Sequence, residues 1–226
     1  MSETVGDVAA EIVVCRRCPR LVWWREEAAR HPPRRFAGQR YWAGPLPGFG
    51  DPQARVLLVG LAPAAHGGNR TGRIFTGDRS GDFLFAALYA TGFANQPLSV
   101  GPADGLAVRD LYIAAVNRCA PPANKPTPDE RDNCLPYLAR EVAALLHLRV
   151  IVALGAFAWQ GCLRALAGLE VGSRPWPVFG HGVEAQVGPY RLIGSFHPSQ
   201  QNTFTGRLTS AMLEKVLERA RRSAAG

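Results

Sequence analysis

Four residues have side chains, and sequence positions, that suit chemistry on a flat ring with hydrogen-bonding groups: Phe75, Asp78, Asn124 and His197. An aspartate can hold and polarise a water molecule, and an imidazole can donate to a negative charge that develops on a leaving group. An asparagine amide offers one acceptor and two donors, which match the edge of an imide. An aromatic ring provides a surface on which such a flat group can stack.

Each of these residues also has an ordinary structural explanation. Asp78 lies where the next helix is expected to start, so it can be a helix cap. Phe75 can fill the core, and a histidine that precedes a proline, as His197 does, is common in turns. Asn117, at the end of an apolar run, is an alternative to Asn124. The position of each residue in the fold therefore has to decide between the two explanations.

Four of the five cysteines form two pairs, Cys15 with Cys18 and Cys119 with Cys134. Four thiolates can bind a zinc ion or hold a [4Fe–4S] cluster, and the spacing leaves both open. Either metal would tie the N-terminus to the segment that also carries Asn124. The fifth cysteine lies in an apolar helical stretch and is expected in the core.

Four short apolar runs predict the strands of a sheet, at residues 55–61, 111–117, 149–155 and 190–196. They do not alternate with polar residues, which is typical of strands that are covered on both faces. The stretches between and after them predict helices at residues 80–93, 127–146, 156–168 and about 207–222. Alternating strands and helices imply parallel pairing through βαβ crossovers.

We therefore predict a single α/β domain over residues 1–226. Its architecture is a three-layer αβα sandwich with a central four-stranded parallel sheet. Residues 1–54 carry the first cysteine pair and form an irregular lead-in that packs on the sheet, and residues 172–189 are expected to be a loop.

The unusual residues lie beyond the carboxyl ends of the predicted strands, which is where open parallel sheets bind ligands. GLAPAAHGGNRTGRIFTGD (60–78) follows the first strand, and HPSQQNTFTGR (197–207) follows the fourth. Small residues such as Gly60 and Ala62 let the backbone approach a flat ligand closely. The later segment offers donors for phosphate oxygens, namely Ser199, Gln201, Asn202 and Arg207.

The formal net charge is +8 and the pI is near 9.8, which suits a polyanionic partner. Composition bias explains the charge equally well, because lysine occurs only at Lys125 and Lys215. The N-terminal residues lack a signal-peptide pattern, and no apolar run approaches the roughly 20 residues of a membrane span. These features predict a cytoplasmic protein, in which cysteines bind metals more often than they form disulfides.

Taken together, the 60–78 loop, CAPPANKPTP (119–128) and HPSQQNTFTGRLT (197–209) resemble the uracil-DNA glycosylase superfamily, specifically its family 5 or type B enzymes. The resemblance extends from Cys15 to about Thr209. It implies a [4Fe–4S] cluster rather than zinc, with the ligands Cys15, Cys18, Cys119 and Cys134. It also implies base excision, in which a damaged nucleotide is flipped out of DNA and its base is read in a pocket.

By the same resemblance, the water-activating Asp, Asn or Glu of related families is replaced by Ala62. We therefore expect Asp78 to position the water and His197 to stabilise the departing base. Asn124 would read the edge of the base and Phe75 would stack on it, with Gly60 and Ala62 lining the pocket. A less discriminating pocket predicts activity on uracil and on other deaminated bases, such as hypoxanthine and xanthine. No lyase lysine is expected, so the product would be an abasic site.

Two other functions remain open from the residues alone. A non-catalytic iron–sulfur or zinc module that binds nucleic acid would explain the charge and the cysteines, but not a pocket at the strand ends. An N-ribohydrolase of free nucleosides would need no arginine-rich groove. The expected partner is double- or single-stranded DNA that contains deaminated bases. A monomer is expected, and a sliding clamp is left open as a further partner.

Overall fold

The computed structural model describes residues 3–172 and 174–226. Eight α-helices are formed by the following residues: α1 Val5–Val13, α2 Pro19–Arg30, α3 Gly68–Thr71, α4 Arg79–Ala90, α5 Pro128–Ala144, α6 Ala156–Gly168, α7 Gln200–Phe204 and α8 Ser210–Ala225. The same residues form six strands: β1 Phe49–Gly50, β2 Val56–Gly60, β3 Leu111–Ala115, β4 Val150–Leu154, β5 Glu184–Val187 and β6 Tyr190–Ser195.

The strands form one sheet in the order β1-β3-β2-β4-β6-β5. The four inner strands are parallel, and β1 and β5 pair antiparallel at the two edges. From β2 the chain first adds β3 on one side and then crosses back to add β4 on the other. The winding therefore reverses beside β2, and the carboxyl end of the sheet at such a point is where ligands bind in open α/β sheets.

Helices cover both faces of the sheet, which confirms the predicted αβα sandwich. Alternate side chains of β2 point to opposite faces, as the twofold period of a strand requires. Leu58 packs in the core that includes α4 and α8, whereas Leu57 packs in the core that includes α5 and α6. All five residues of β2, β3 and β4 are buried, so their unbroken apolar runs follow from burial on both faces.

The four predicted parallel strands are present, and the sheet has two strands that were not predicted. Two short antiparallel strands extend the four parallel ones, and they lie in segments that were predicted to be irregular. β5 falls within residues 172–189 and forms a hairpin with β6 through Gly188, which has a φ of 57°. Only Val187 of its four residues is buried, so the strand carries too little apolar patterning to be recognised.

The principal helices begin and end close to their predicted limits. α5 starts with the predicted capping box, in which Thr127 and Glu130 bond each other's backbone amides. Pro128 occupies the first helical turn, where its missing N–H costs nothing. α6 spans residues 156–168, as predicted. No helix in the described part of the chain combines the length and the apolar content that crossing a bilayer requires.

Candidate active site

A cavity of about 410 Å³ opens at the carboxyl end of the parallel strands. It collects loops that follow β2, β3 and β6, which are far apart in sequence. Seven residues that the sequence singled out line it: Ala62, Phe75, Asp78, Asn124, His197, Ser199 and Gln201. His197 and Asn124 therefore face one common space, as contact with a single bound ring requires.

Asp78 is a helix cap and also lines the cavity, so its two interpretations do not exclude each other. It is the N-cap of α4, and its Oδ1 accepts a hydrogen bond of 3.0 Å from the Gly81 amide. The other carboxylate oxygen lies beside Gly67, where a Cβ would approach it to 2.0 Å, so only glycine leaves it room. Burial raises the pKa of Asp78 above its ordinary value. The carboxylate is therefore a stronger proton acceptor than an exposed aspartate.

Phe75 is partly a core residue and partly a wall of the cavity. Only 8% of it is exposed, and it belongs to the same core as α4 and α8. Its φ of 54° is unusual for a bulky residue and turns the ring back towards β2. Gly60 makes this possible, because a Cβ there would lie 2.6 Å from the ring. Gly60 is not among the residues that line the cavity; it seats Phe75, and its contact with a ligand stays a prediction.

A buried polar network holds the strained part of the loop. The guanidinium of Arg73 donates to Thr76, Ser99 and Asp104 at distances of 2.6–3.0 Å. Burial raises the pKa of Asp104, but Arg73 and three backbone amides outweigh it and hold that pKa well below its ordinary value. A satisfied network of this kind rigidifies its surroundings, and it fixes the segment between Phe75 and Asp78.

His197 is held through its backbone, and its ring is left for the cavity. The side-chain amide of Asn202 donates to the His197 carbonyl at 2.8 Å, and the Phe196 amide donates to Nδ1 of His181 at 3.2 Å. The His197 and Phe75 rings lie with their centroids 6.0 Å apart. Burial lowers the pKa of His197 to about 4. The imidazole is consequently neutral at pH 7 and carries one N–H donor.

Asn124 occupies a short turn in which two consecutive residues have positive φ. Ala123 has a φ of 52° and Asn124 a φ of 55°, and asparagine tolerates this region better than most residues. Its side chain is exposed at the cavity wall. Asn117, the alternative, is buried and donates to the Glu130 carbonyl. The structure thus favours Asn124 as the residue that contacts a ligand.

The segment after β6 divides into two groups. Ser199 and Gln201 line the cavity, whereas Asn202 and Arg207 do not. Asn202 acts on the backbone of His197, as described above. Arg207 is exposed, and its guanidinium lies over the Phe196 ring at 4.5 Å, bordering a smaller neighbouring cavity. Asn202 therefore has a positioning role that the sequence did not predict, and its contact with phosphate stays a prediction.

The four paired cysteines approach one another between α1, α2, α5 and the end of β3. All are free thiols. Burial raises the pKa of Cys18, and it raises the pKa of Cys119 to about 12 and that of Cys134 to about 11. Cys15 lies near enough to all three thiols to influence their pKa values. Within residues 3–172 and 174–226, no three His, Cys, Asp or Glu side chains are close enough to hold a single metal ion. Cys162 is buried in α6, in the core.

Several residues around the site were missed by the sequence analysis. Arg25 of α2 is buried beside Cys119, and Trp24, Arg35 and His66 line a second cavity adjacent to the first. Trp24, Arg25 and Arg35 lie in the lead-in, where no motif marks them, whereas His66 lies in the 60–78 loop, where the sequence analysis assigned it no role. The only hint was the basic, proline-bounded run PPRRF at residues 32–36.

The cavity lies at the switch point of an α/β sheet and is large enough for a ring. Its lining combines a carboxylate, an amide and a neutral imidazole, which is the set of groups of a hydrolase-like site.

Residues 47–221 match the sequence profile of the Uracil DNA glycosylase superfamily. The type-5 uracil-DNA glycosylase of Mycobacterium tuberculosis is 54% identical over 223 residues, which cover 98% of this chain and 82% of that protein. The type-5 enzyme of Thermus thermophilus is 49% identical, covering 94% and 95%.

A more distant relative is the type-4 uracil-DNA glycosylase of Archaeoglobus fulgidus, which is 30% identical over 159 residues, 70% of this chain and 63% of that protein. The chain belongs to the uracil DNA glycosylase superfamily. This membership confirms the family resemblance and the enzyme class that it predicted.

The partly buried, neutral state of His197 predicts a pH-dependent loss of stability. Its pKa falls from an ordinary 6.5 to about 4 on folding, so the unfolded chain binds a proton that the folded chain does not. Stability is complete above pH 6.5 and declines as the pH falls towards 4, by roughly 2 kcal/mol at pH 5. Urea unfolding of wild type and His197→Asn between pH 7.5 and 4.5 measures this difference.

The matched control is His147→Asn, since His147 is exposed in the loop between α5 and β4. It should keep the pH dependence of the wild type, whereas His197→Asn should flatten it. Equal slopes for all three proteins would show that the imidazole at residue 197 titrates freely in the folded state.

Proposed function

We propose that this uracil-DNA glycosylase hydrolyses the bond between deoxyribose and uracil, or another deaminated base, and leaves an abasic site in DNA. The observation that carries the proposal is the common cavity of Asp78, His197, Asn124 and Phe75. In that cavity Ala62 occupies the position after β2 at which a polar group would otherwise restrict the bound base.

The first step is the extrusion of the nucleotide from the duplex, which costs a few kcal/mol and is easiest for a mispaired base. The extruded base lies against the ring of Phe75, which stacks on it and recovers part of that cost. Asn124 hydrogen-bonds the edge of the base with its amide. The Asn124 side chain is exposed at the cavity wall and bonds no other group in the described residues, so it is available for this contact.

The second step breaks the bond between C1′ and the base nitrogen, and the bonding electrons leave with the base. The neutral His197 donates a hydrogen bond to the negative charge that develops on the base. A water oxygen bonds to C1′ on the opposite face, and the Asp78 carboxylate accepts the proton that this water loses. The departing base takes up a proton from solvent. Neither Lys125 nor Lys215 lines the cavity, so among the described residues no lysine is placed to compete with water for C1′.

Asp78→Asn tests the assignment of the water-positioning group. Asparagine caps a helix as well as aspartate does, so the start of α4 is preserved. Loss of the proton acceptor should lower the single-turnover rate of uracil excision by about 10²–10⁴-fold. The rate is measured on uracil-containing duplex by alkaline cleavage of the product and gel separation.

Asp129→Asn is the control, because Asp129 also lies in the first turn of a helix but is exposed and does not line the cavity. It should retain the wild-type rate. A fall of well under tenfold in Asp78→Asn, with the cap intact by thermal unfolding, would remove Asp78 from the mechanism.

The range of excised bases is the second testable part of the proposal. A cavity of about 410 Å³ with a methyl group at Ala62 leaves space and few fixed polar contacts beside the ring. We expect excision of hypoxanthine and xanthine as well as uracil, measured on duplexes that pair each base with each of the four normal bases. Activity on uracil alone would contradict the proposed range, and binding without any product would favour the non-catalytic alternative.

We further propose that Cys15, Cys18, Cys119 and Cys134 hold a [4Fe–4S] cluster, whose chemistry here is structural. Arg25 supports this proposal. It is only 3% exposed, its Nη1 donates to Cys119 Sγ at 3.0 Å, and no carboxylate in the described residues lies within 4.0 Å of it. A buried cation without an anion costs several kcal/mol. Four thiolates around a cluster would supply the missing negative charge.

Metal analysis of the purified enzyme tests this assignment. We expect a brown protein with iron and acid-labile sulfide near four of each per chain. Arg25→Met should retain less iron and show a shifted reduction potential, because the counter-charge is lost. Arg30→Met changes an exposed arginine of the same helix and should behave as the wild type. One zinc ion per chain without sulfide would overturn the proposal.

A further inference from the structure

A second cavity, of about 610 Å³, lies next to the base cavity. The two share Ala64, Asp78, Ala123 and Asn124, so they form one continuous depression. The far wall of the second cavity is built from the lead-in and from the loop after β2, by residues that have no role in the proposed excision steps. A ligand that fills the base cavity therefore borders a space that the extruded base does not use.

The far wall is an arginine–aromatic stack. The Phe36 ring has the guanidinium carbons of Arg35 and Arg70 at 4.7 and 4.2 Å from its centre. Arg70 uses its donors within the protein, on the carbonyls of His66 and Gly77 and on the Gln39 side chain. Arg35 makes no such bond in the described residues, so its donors are available to a ligand while its plane is held by Phe36.

The segment that carries this wall is strongly basic. Arg34, Arg35 and Arg40 are exposed, and none has an acidic partner within 4.0 Å among residues 3–172 and 174–226. The two carboxylates that line the cavity, Asp78 and Asp82, lie at the start of α4. Arg79 of α4 also lines the cavity, so the α4 side carries one guanidinium beside its two carboxylates. The Arg35 wall carries no carboxylate among the lining residues, so it attracts an anion more strongly than the α4 side.

We propose that this cavity is a phosphate subsite, in which Arg35 binds a backbone phosphate next to the extruded nucleotide on the same DNA strand. Because the two cavities are continuous, a group in the second cavity can be covalently attached to the sugar of the extruded nucleotide. The phosphate bound there therefore belongs to the same strand. The subsite complements the loop after β6, which reaches the base cavity from another side with Ser199 and Gln201. The inference rests on the DNA substrate and is independent of the base range and the cluster.

The salt dependence of binding tests the phosphate contact. Each lost contact lowers the slope of log K against log salt by about 0.9 on duplex DNA. Arg35→Gln should show this reduction and weaker binding at low salt. The substrate contains 2′-fluoro-deoxyuridine, which resists hydrolysis, so the measurement does not depend on excision.

Arg222→Gln is the matched control. It removes one exposed arginine from the end of α8, where the Ala224 carbonyl accepts from Arg55 and Arg149 at the amino end of the sheet. It should keep the wild-type slope. Thermal unfolding of both variants confirms that they are folded. Arg34→Gln changes another arginine of the same segment, so comparing its salt slope with that of Arg35→Gln distinguishes the cavity contact from the positive charge of the segment.

Neutral methylphosphonates placed one at a time around the target nucleotide then locate the contact. One position on the uracil strand should weaken wild-type binding and have little further effect on Arg35→Gln. An effect confined to the complementary strand, or equal losses in both proteins at every position, would overturn the subsite. Equal salt slopes for Arg35→Gln and Arg222→Gln would also overturn it, whatever the excision assays show.

Discussion

The site depends on the parallel pairing of four strands, because parallel strands end at the same edge of the sheet. β2, β3 and β6 each deliver one loop to that edge, and the loops bring together residues as distant in sequence as Ala62 and His197. The strands are buried on both faces, so a one-residue slip would turn core side chains to the wrong face. The register that forms the core therefore also fixes the position of the cavity.

The long loop after β2 is ordered by polar groups as much as by apolar ones. Arg73 and Asp104 form its buried anchor, and the two glycines at residues 60 and 67 leave space for Phe75 and for the Asp78 carboxylate. A residue such as Phe75, held at positive φ, persists only where its surroundings over-determine it. The wall of the cavity is thus prepared before a ligand arrives, which limits the ordering cost of binding.

The lead-in connects the cysteines to this wall. Arg25 contacts Cys119 through its guanidinium, and its carbonyl accepts from the buried side chain of Asn69, which belongs to the loop after β2. The next residues of the same lead-in carry Arg35 and Phe36 to the second cavity. A cofactor on the cysteines would therefore act on the site through the placement of this segment rather than through contact with the base.

The sequence by itself determined the αβα class, the four parallel strands, the limits of the main helices and most of the residues that line the cavity. These follow from local patterns, namely unbroken apolar runs, capping residues and loops at strand ends. Only the tertiary structure decided that Gly60 seats Phe75, that Asn202 holds His197 and that Arg25 and Arg35 flank the site. Those relations join residues from separate elements, and their strength comes from burial and distance, which no local pattern encodes.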